Sequence, residues 1–559
     1  MFESRCVSSL VKVFPDEELQ AQPFNEGTAL LNERYSFQVA YRGNRKGNVI
    51  KNIDVAVESE LLDLISVRKV GLSPAEYTIQ HDRDENVLRT EPGLYPDPLY
   101  PLEDVSINAL PECWQSVWIT VELDEQVNSG KFPIVITFTA AEGEKLGEEC
   151  FQLEVIGQKL PEQQLIHTHW LHTDCIATYY QVEPLSERYW ELVDTYVETA
   201  VKYGSNMILT PLFTPPLDTA VGHERPTVQL VEVEKNGEAY TFGFSHLKRW
   251  IDLGNKNGVK YFEFSHLFTQ WGAEHAPKIV AIENGEFKKI FGWETDASGE
   301  EYTRFLKQFF SELIHFIKQN NLEKRVYFHV SDEPSPNHLE SYKKASDLVR
   351  AYLSDFPIID ALSDFEFYQK GIVKKPIPTS DHIEPFLEAG IPDLWTYYCV
   401  SQYKDVANRF FVFPSARNRI LGMQLYKYDI AGFLHWGYNF WYSQFSLRQD
   451  LDPFKVTDAD QSFSAGDSFA VYPGKEGPMI SLKLEVFYEA LQDLRALKLL
   501  ESYIGKEKVV TMLENGLDQP ITFKEYPCDD QWLLETRQQI NKKLKELAGT
   551  VPRHTSVLK

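Results

Sequence analysis

Residues 326–336 read Val326-Tyr327-Phe328-His329-Val330-Ser331-Asp332-Glu333-Pro334-Ser335-Pro336, an alternating apolar run that ends in two adjacent carboxylates. Pro334 has no N–H to give to a sheet ladder, so the pattern predicts a strand over 326–331 that stops at the acids. A strand end opening into a loop is where α/β barrels carry their chemistry. Paired carboxylates are also how many enzymes cleave glycosidic bonds. An isolated Asp-Glu is an ordinary solvated turn. Behind a strand that reads as buried, Asp332 and Glu333 become the candidate catalytic pair.

Outward from this stretch, strand and helix alternate from about residue 160. Strands are expected at Leu165–His169, Met207–Thr210, Lys260–Ser265, Val326–Ser331, Ile358–Ser363, Ile377–Ser380, Leu394–Cys399 and Phe433–Asn439. Between them lie helical patterns such as Tyr302–Gln319, where Phe305, Phe309, Leu313, Phe316 and Ile317 share a face. Eight such strands predict a (β/α)8 TIM-like barrel over 159–505, closed by a helix near Ile480–Glu501. Residues 1–158 carry short alternating segments broken by Gly, Pro, Asn and Asp, the pattern of an antiparallel β-sandwich. Residues 506–559 read as a charged helical C-terminal extension. A multidomain chain is expected on length alone, since 559 residues exceed one core.

Other strand ends are polar or aromatic where plain turn formers would suffice. The first leads into His167-Thr168-His169-Trp170-Leu171-His172-Thr173-Asp174, and His172 and Asp174 are candidate substrate contacts. The third is followed by Trp271, the seventh carries Trp395, Tyr397 and Tyr398, and the eighth carries His435, Trp436, Asn439 and Trp441. Barrel interiors favour Val, Ile and Leu, so these residues suit an aromatic-walled sugar pocket. Arg419, on the apolar helix before the eighth strand, reads equally as a ligand contact or a structural ion pair. His167 and His169 also match a pattern of metal-dependent hydrolases. His246, His266, His275 and His435 do not complete a ligand set with a carboxylate, so no metal or cofactor is expected.

Composition removes several partners. Lys and Arg number 56 against 82 Asp and Glu, and a net charge of −26 disfavours nucleic acid and anionic membrane surfaces. The six scattered cysteines have no metal-like spacing and suit a reducing compartment. No basic, then apolar leader and no spanning apolar run is visible, so a cytoplasmic protein is expected. Walker, GxGxxG and GxSxG motifs are missing, which disfavours nucleotide and serine-hydrolase chemistry.

Several motifs follow one another in order. They are Ser331-Asp332-Glu333-Pro334, Trp395-x-Tyr397-x-Cys399 and Gly432-Phe433-Leu434-His435-Trp436-x-x-Asn439-x-Trp441. Then come Gly466-Asp467-x-Phe469-x-x-Tyr472-Pro473-Gly474, Gly477-Pro478 and Ser481-x-Lys483-x-Glu485. Over roughly residues 160–505 this set resembles glycoside hydrolase family 123 and related domains of unknown function. The resemblance implies a β-sandwich before a (β/α)8 domain and a retaining exo-enzyme that removes terminal β-linked N-acetylhexosamine, GalNAc more than GlcNAc. It also implies substrate assistance, with Glu333 as acid/base and Asp332 holding the 2-acetamido N–H beside an oxazolinium intermediate. The alternatives are a glycosidase of other specificity on the same scaffold and a non-catalytic carbohydrate-binding protein. Were an enzymic nucleophile needed, Glu263 and Asp364 at other strand ends come first. A glycan or glycoside is the expected partner.

Overall fold

A computed structural model describes residues 2–43 and 47–548. The expected extension therefore loses 549–559, which lie outside the described residues. The chain forms two compact units that do not follow chain order. One takes the residues up to Gln163 with Lys404–Tyr428 and the chain from Met479 on; the other takes Gln164–Tyr403 and Asp429–Pro478.

The first unit holds two five-stranded sheets. One is built of Phe2–Ser8, Arg34–Gly43, Gln115–Glu122, Ile65–Ala75 and Gly93–Pro101, all antiparallel. The other orders Glu26–Leu31, Lys145–Lys159, Gly130–Thr139, Ile50–Glu58 and Ile107–Ala109. Alternation decides which face is buried: along Gly130–Thr139, Ile134, Ile136 and Phe138 point inward and their neighbours outward. These side chains share one core with Phe37, Val39 and Ile119 of the other sheet. Phe37 stacks on Phe151 there at 4.0 Å. The antiparallel expectation needs one correction, because Glu26–Leu31 pairs parallel to the end of Lys145–Lys159. A hairpin turn cannot make that pairing; the long return from Leu31 to Lys145 can.

The same unit contains the helices Ser415–Arg419, Leu421–Lys427 and Leu482–Ile504, with Lys506–Glu514 and Asp530–Ala548 behind them. Arg419 lies here inside an ion cluster. It contacts Asp493 at 2.7 Å and Glu489 at 2.8 Å, while Arg537 joins Asp493 at 2.8 Å and Glu33 at 2.7 Å. Every member is buried.

The second unit carries the parallel strands. A six-stranded sheet orders Val326–Phe328, Tyr261–Phe264, Met207–Thr210, Ile166–His169, Gly432–His435 and Trp395–Tyr397. Ile359–Ala361 and Lys375–Ile377 form a further parallel pair. Isolated parallel bridges link Phe328 to Ile358 and Thr379 to Tyr397. One apolar cluster gathers Met207, Leu209, Ile359, Ala361, Ile377, Trp395, Tyr397 and Leu434, with Ile166, Tyr261 and Tyr327 against it. All eight strands thus contribute to a single core. The sixth strand lies at Lys375–Ile377, earlier than the sequence suggested. Pro378 and Ser380 still meet the next strand, through Tyr397 N–H on the Pro378 carbonyl at 3.2 Å and Ser380 N–H on the Tyr397 carbonyl at 2.9 Å. A four-stranded sheet of Glu232–Asn236, Ala239–Gly243, Ile279–Glu283 and Glu286–Phe291 is inserted, which periodicity did not reveal.

Candidate active site

The fourth parallel strand ends at Phe328, three residues earlier than expected, and the chain from His329 to Glu333 is pinned residue by residue. Val330 N–H donates to Asp360 Oδ1 at 3.0 Å and the Ser331 hydroxyl to the Thr269 carbonyl at 2.7 Å. The Asp332 carbonyl accepts from Trp271 N–H at 2.9 Å, and Glu333 N–H donates to the Ala361 carbonyl at 3.1 Å. Glu333 takes a φ of 44°, a left-handed backbone that a non-glycine residue adopts only when its surroundings impose it. The two acids are therefore fixed, not loose on a turn.

Their electrostatics match that confinement. Burial and the neighbouring Glu333 push Asp332 well above the usual carboxylate range, opposed by the charge of His329. Burial also raises Glu333, opposed by the Tyr397 hydroxyl, which donates to its Oε1 at 2.5 Å. Asp218, on the loop after the second strand, is raised to about 7, chiefly by burial, with the Glu333 charge a smaller contribution. Its backbone φ is 40°, and its Oδ2 accepts from Phe445 N–H at 3.1 Å.

A second group of side chains surrounds His172 and Trp436. The His172 Nε2–H donates to the Trp436 carbonyl at 2.8 Å, and its Nδ1 accepts from Arg225 at 3.0 Å. Those two partners fix the tautomer. Burial, then the Arg225 charge, hold this imidazole neutral, down at about 3. Arg225 also grips Asp174 through two bonds of 2.7 and 2.8 Å. Asn439 clasps the His172 backbone from both sides, accepting from its N–H at 2.8 Å and donating to its carbonyl at 3.0 Å. Trp436 donates its indole N–H to Asp467 at 3.0 Å and lies edge to face with Phe463. His435 accepts from Gly437 N–H at 3.0 Å, which leaves its Nε2 facing Asp467 at 3.7 Å.

The remaining expected residues fall differently. Trp271 is 37% exposed, at a φ of 60°, with its ring edge on Phe445 at 5.5 Å, a free aromatic face next to the acid loop. Trp395 packs into the strand core against Tyr327 and over Gly432. Tyr398 is buried against Phe433 and His435, and Trp441 is buried with its N–H on the Val471 carbonyl at 3.2 Å. Arg419 sits in the first unit with its two carboxylates. Glu263 is sealed in the core, accepting from Thr168, from Trp170 at 2.8 Å and from His329 at 2.6 Å. Asp364 precedes a short helical turn and accepts from Glu366 N–H at 2.8 Å. Sequence reasoning missed Arg225 and Asp218, which lie on a long loop without periodicity; only their density of polar partners reveals them.

Among the described residues, His266, His329 and Asp360 bring three donor atoms within 4.8 Å. Both ring nitrogens of His329 already face carboxylates, however, which leaves it no lone pair for a metal. His169 spends its Nε2 on the Gly437 carbonyl at 3.0 Å.

Two confined acids of raised pKa at the end of a parallel strand, beside an exposed tryptophan and a tyrosine hydroxyl, are the equipment of a glycoside hydrolase. The comparison with known families is specific. The catalytic domain of glycoside hydrolase 123 matches residues 170–500, well over half of the chain, and the chain belongs to that family. It is a glycosidase. Among solved structures it is similar to a family 123 glycoside hydrolase from Clostridium perfringens described for glycolipid glycan hydrolysis. That likeness has a TM-score of 0.75 and 16% identity, covers 98% of this chain and 99% of the other, and speaks to the fold. A Parabacteroides merdae β-glucuronidase aligns at a TM-score of 0.30 and 12% identity, over 87% of this chain and 51% of that one. A putative β-galactosidase from Bacteroides fragilis aligns at 0.29 and 10%, over 78% and 57%. Among curated proteins none matches the sequence.

Proposed function

We propose that this glycosidase removes terminal β-linked N-acetylhexosamine, GalNAc in preference to GlcNAc, with retention and with the substrate's own acetamido group as nucleophile. The observation that carries the reading is the adjacency of Asp332 and Glu333 on one pinned loop, with Glu263 locked in the core and Asp364 bonded to Glu366 N–H. Consecutive carboxylates suit two neighbouring atoms of one sugar, the glycosidic oxygen and the acetamido nitrogen. Burial favours one proton shared by the pair near neutral pH. In the first step Glu333 gives that proton to the glycosidic oxygen as the acetamido carbonyl oxygen attacks C1 and the C1–O bond breaks. Asp332 accepts a hydrogen bond from the acetamido N–H and its charge stabilises the oxazolinium. Glu333 then takes a proton from water as the water oxygen attacks C1 and opens the ring. Two inversions give retention.

The eight parallel strands, joined by the bridges at Ile358 and Thr379 around one core, support reading this unit as a closed (β/α)8 barrel. Trp271 and Trp436 are its proposed sugar platforms, with Tyr397 and His172 supporting the site from behind. Glycolipid glycans are the first natural substrates to try, following the Clostridium perfringens structure. All six cysteines are free, which supports a cytoplasmic placement. No helix among the described residues is long and apolar enough to cross a membrane.

A panel of nitrophenyl glycosides tests the reading. The β-N-acetylgalactosaminide should be hydrolysed fastest, the N-acetylglucosaminide more slowly, and galactoside and glucoside hardly at all. Equal rates with and without the acetamido group would contradict it.

A further inference from the structure

Beneath the acid loop lies a buried charge cluster that the proposed chemistry does not itself use. His329 is fully enclosed, with its Nε2 2.6 Å from Glu263 and its Nδ1 3.3 Å from Asp360. Both carboxylates are otherwise surrounded by donors. Glu263 accepts from the Thr168 hydroxyl and the Trp170 indole, and Asp360 from the Tyr342 hydroxyl and Val330 N–H. Oxygens already ringed by donors present lone pairs to the imidazole between them. An imidazole facing one such acceptor at each nitrogen needs a proton on both.

From this geometry we infer that His329 is a permanently protonated positioning residue, whose fixed positive charge behind the acid loop favours the Asp332 anion against the burial that opposes it. The inference rests on the substrate-assisted reading, in which Asp332 works as an anion. Burial lowers His329, but its two carboxylate partners outweigh that and raise it to about 9, so it remains charged across the neutral range. Its charge favours ionisation of Asp332, whereas Glu333, Asp360 and Asp218 all oppose it. Stacked on His329 at 4.2 Å, His266 is kept neutral by burial and by that same charge. Asp360 ties the two ends together, since it holds the imidazolium with one oxygen and the Val330 N–H beneath the acid loop with the same one.

Two charge variants and one spectrum test this in the full-length enzyme. The acid limb of kcat/KM on nitrophenyl β-N-acetylgalactosaminide reports Asp332, which must be ionised. Glu263→Gln removes a negative charge and leaves the imidazolium, so the acid limb should move to lower pH. His329→Gln removes the cation, so the limb should move up by about one pH unit or more. Opposite displacements from two partners in one hydrogen-bonded cluster are not produced by loosened packing. If both folded variants lose kcat with the acid limb unmoved, His329 is merely structural and the inference falls. Should His329→Gln not fold, Glu263→Gln carries the kinetic arm alone. The third arm is independent of activity: with 15N-labelled histidine, both His329 ring nitrogens should show imidazolium shifts at pH 7.5. A neutral tautomer there overturns the inference, whereas a wild type indifferent to the acetamido group would overturn the mechanism and leave the spectrum to judge His329.

Discussion

In the proposed mechanism Glu333 has a proton to give only while burial holds its carboxyl above the ordinary range, and the Tyr397 hydroxyl at 2.5 Å works against that by favouring the anion. The proposed mechanism gives the two acids different work. Glu333→Gln keeps the shape and loses the proton, so hydrolysis of poorly activated glycosides should fall by about 10²–10⁴-fold. An activated leaving group needs little protonation and should be less affected in the first step. Asp332→Asn keeps a polar group but loses the charge beside the oxazolinium, so both kinds of substrate should slow alike. Steady-state kinetics on a nitrophenyl and an alkyl glycoside separate the two patterns. If the variants behave identically on both substrates, the division of roles is wrong.

At the level of elements, the strands were legible, while their ends and the loops around them were not. Val326–Phe328 and Trp395–Tyr397 announce themselves through apolar alternation, and Pro334 marks where the acids must lie. Asp332, Glu333 and Tyr397 were singled out as candidates from that pattern, and the structure brings Glu333 and Tyr397 into contact. Arg225 and Asp218 escaped because their partners, Asp174, His172 and Phe445, come from distant parts of the chain. Arg419 was ambiguous for the same reason: nothing local names Glu489 and Asp493 as its neighbours. Trp395 looked like a pocket wall, yet Gly432 opposite it leaves room for the indole to turn inward. Close backbone approach explains another glycine. A Cβ on Gly437 would lie 2.5 Å from the Ser468 carbonyl, so this glycine lets the eighth strand end meet the loop that carries Asp467. Gly437→Ala should push the two loops apart, free the Trp436–Asp467 bond and cost about 1–3 kcal/mol of stability. Thermal unfolding and kcat/KM measured together check it, and an unchanged melting temperature would show that the loops can yield.

For the whole molecule, buried charge makes stability depend on pH. In the first unit, burial raises Glu489 to about 7 from an ordinary 4.5, even with Arg419 at 2.8 Å. A carboxyl raised in the folded state binds its proton more tightly there than in the unfolded chain. Its stabilising contribution is complete below about pH 4.5 and is lost as pH rises through about 7. Glu489→Gln should therefore gain in melting temperature relative to wild type between those two values and run parallel above them. A difference that does not vary with pH would contradict the assignment. Arg419→Met poses the harder case, since it strips a cation from Glu489 and Asp493 together and should cost about 3–5 kcal/mol in urea unfolding.

The account stands on the acetamido oxygen acting as the nucleophile, and that can be measured directly. Replacing the acetyl group of a nitrophenyl β-N-acetylgalactosaminide by mono-, di- and trifluoroacetyl groups drains electron density from the carbonyl oxygen while leaving the glycosidic bond alone. Substrate assistance at Asp332 and Glu333 predicts that kcat/KM falls steeply and monotonically along the series. A flat dependence on fluorination would contradict it and require a nucleophile from the protein.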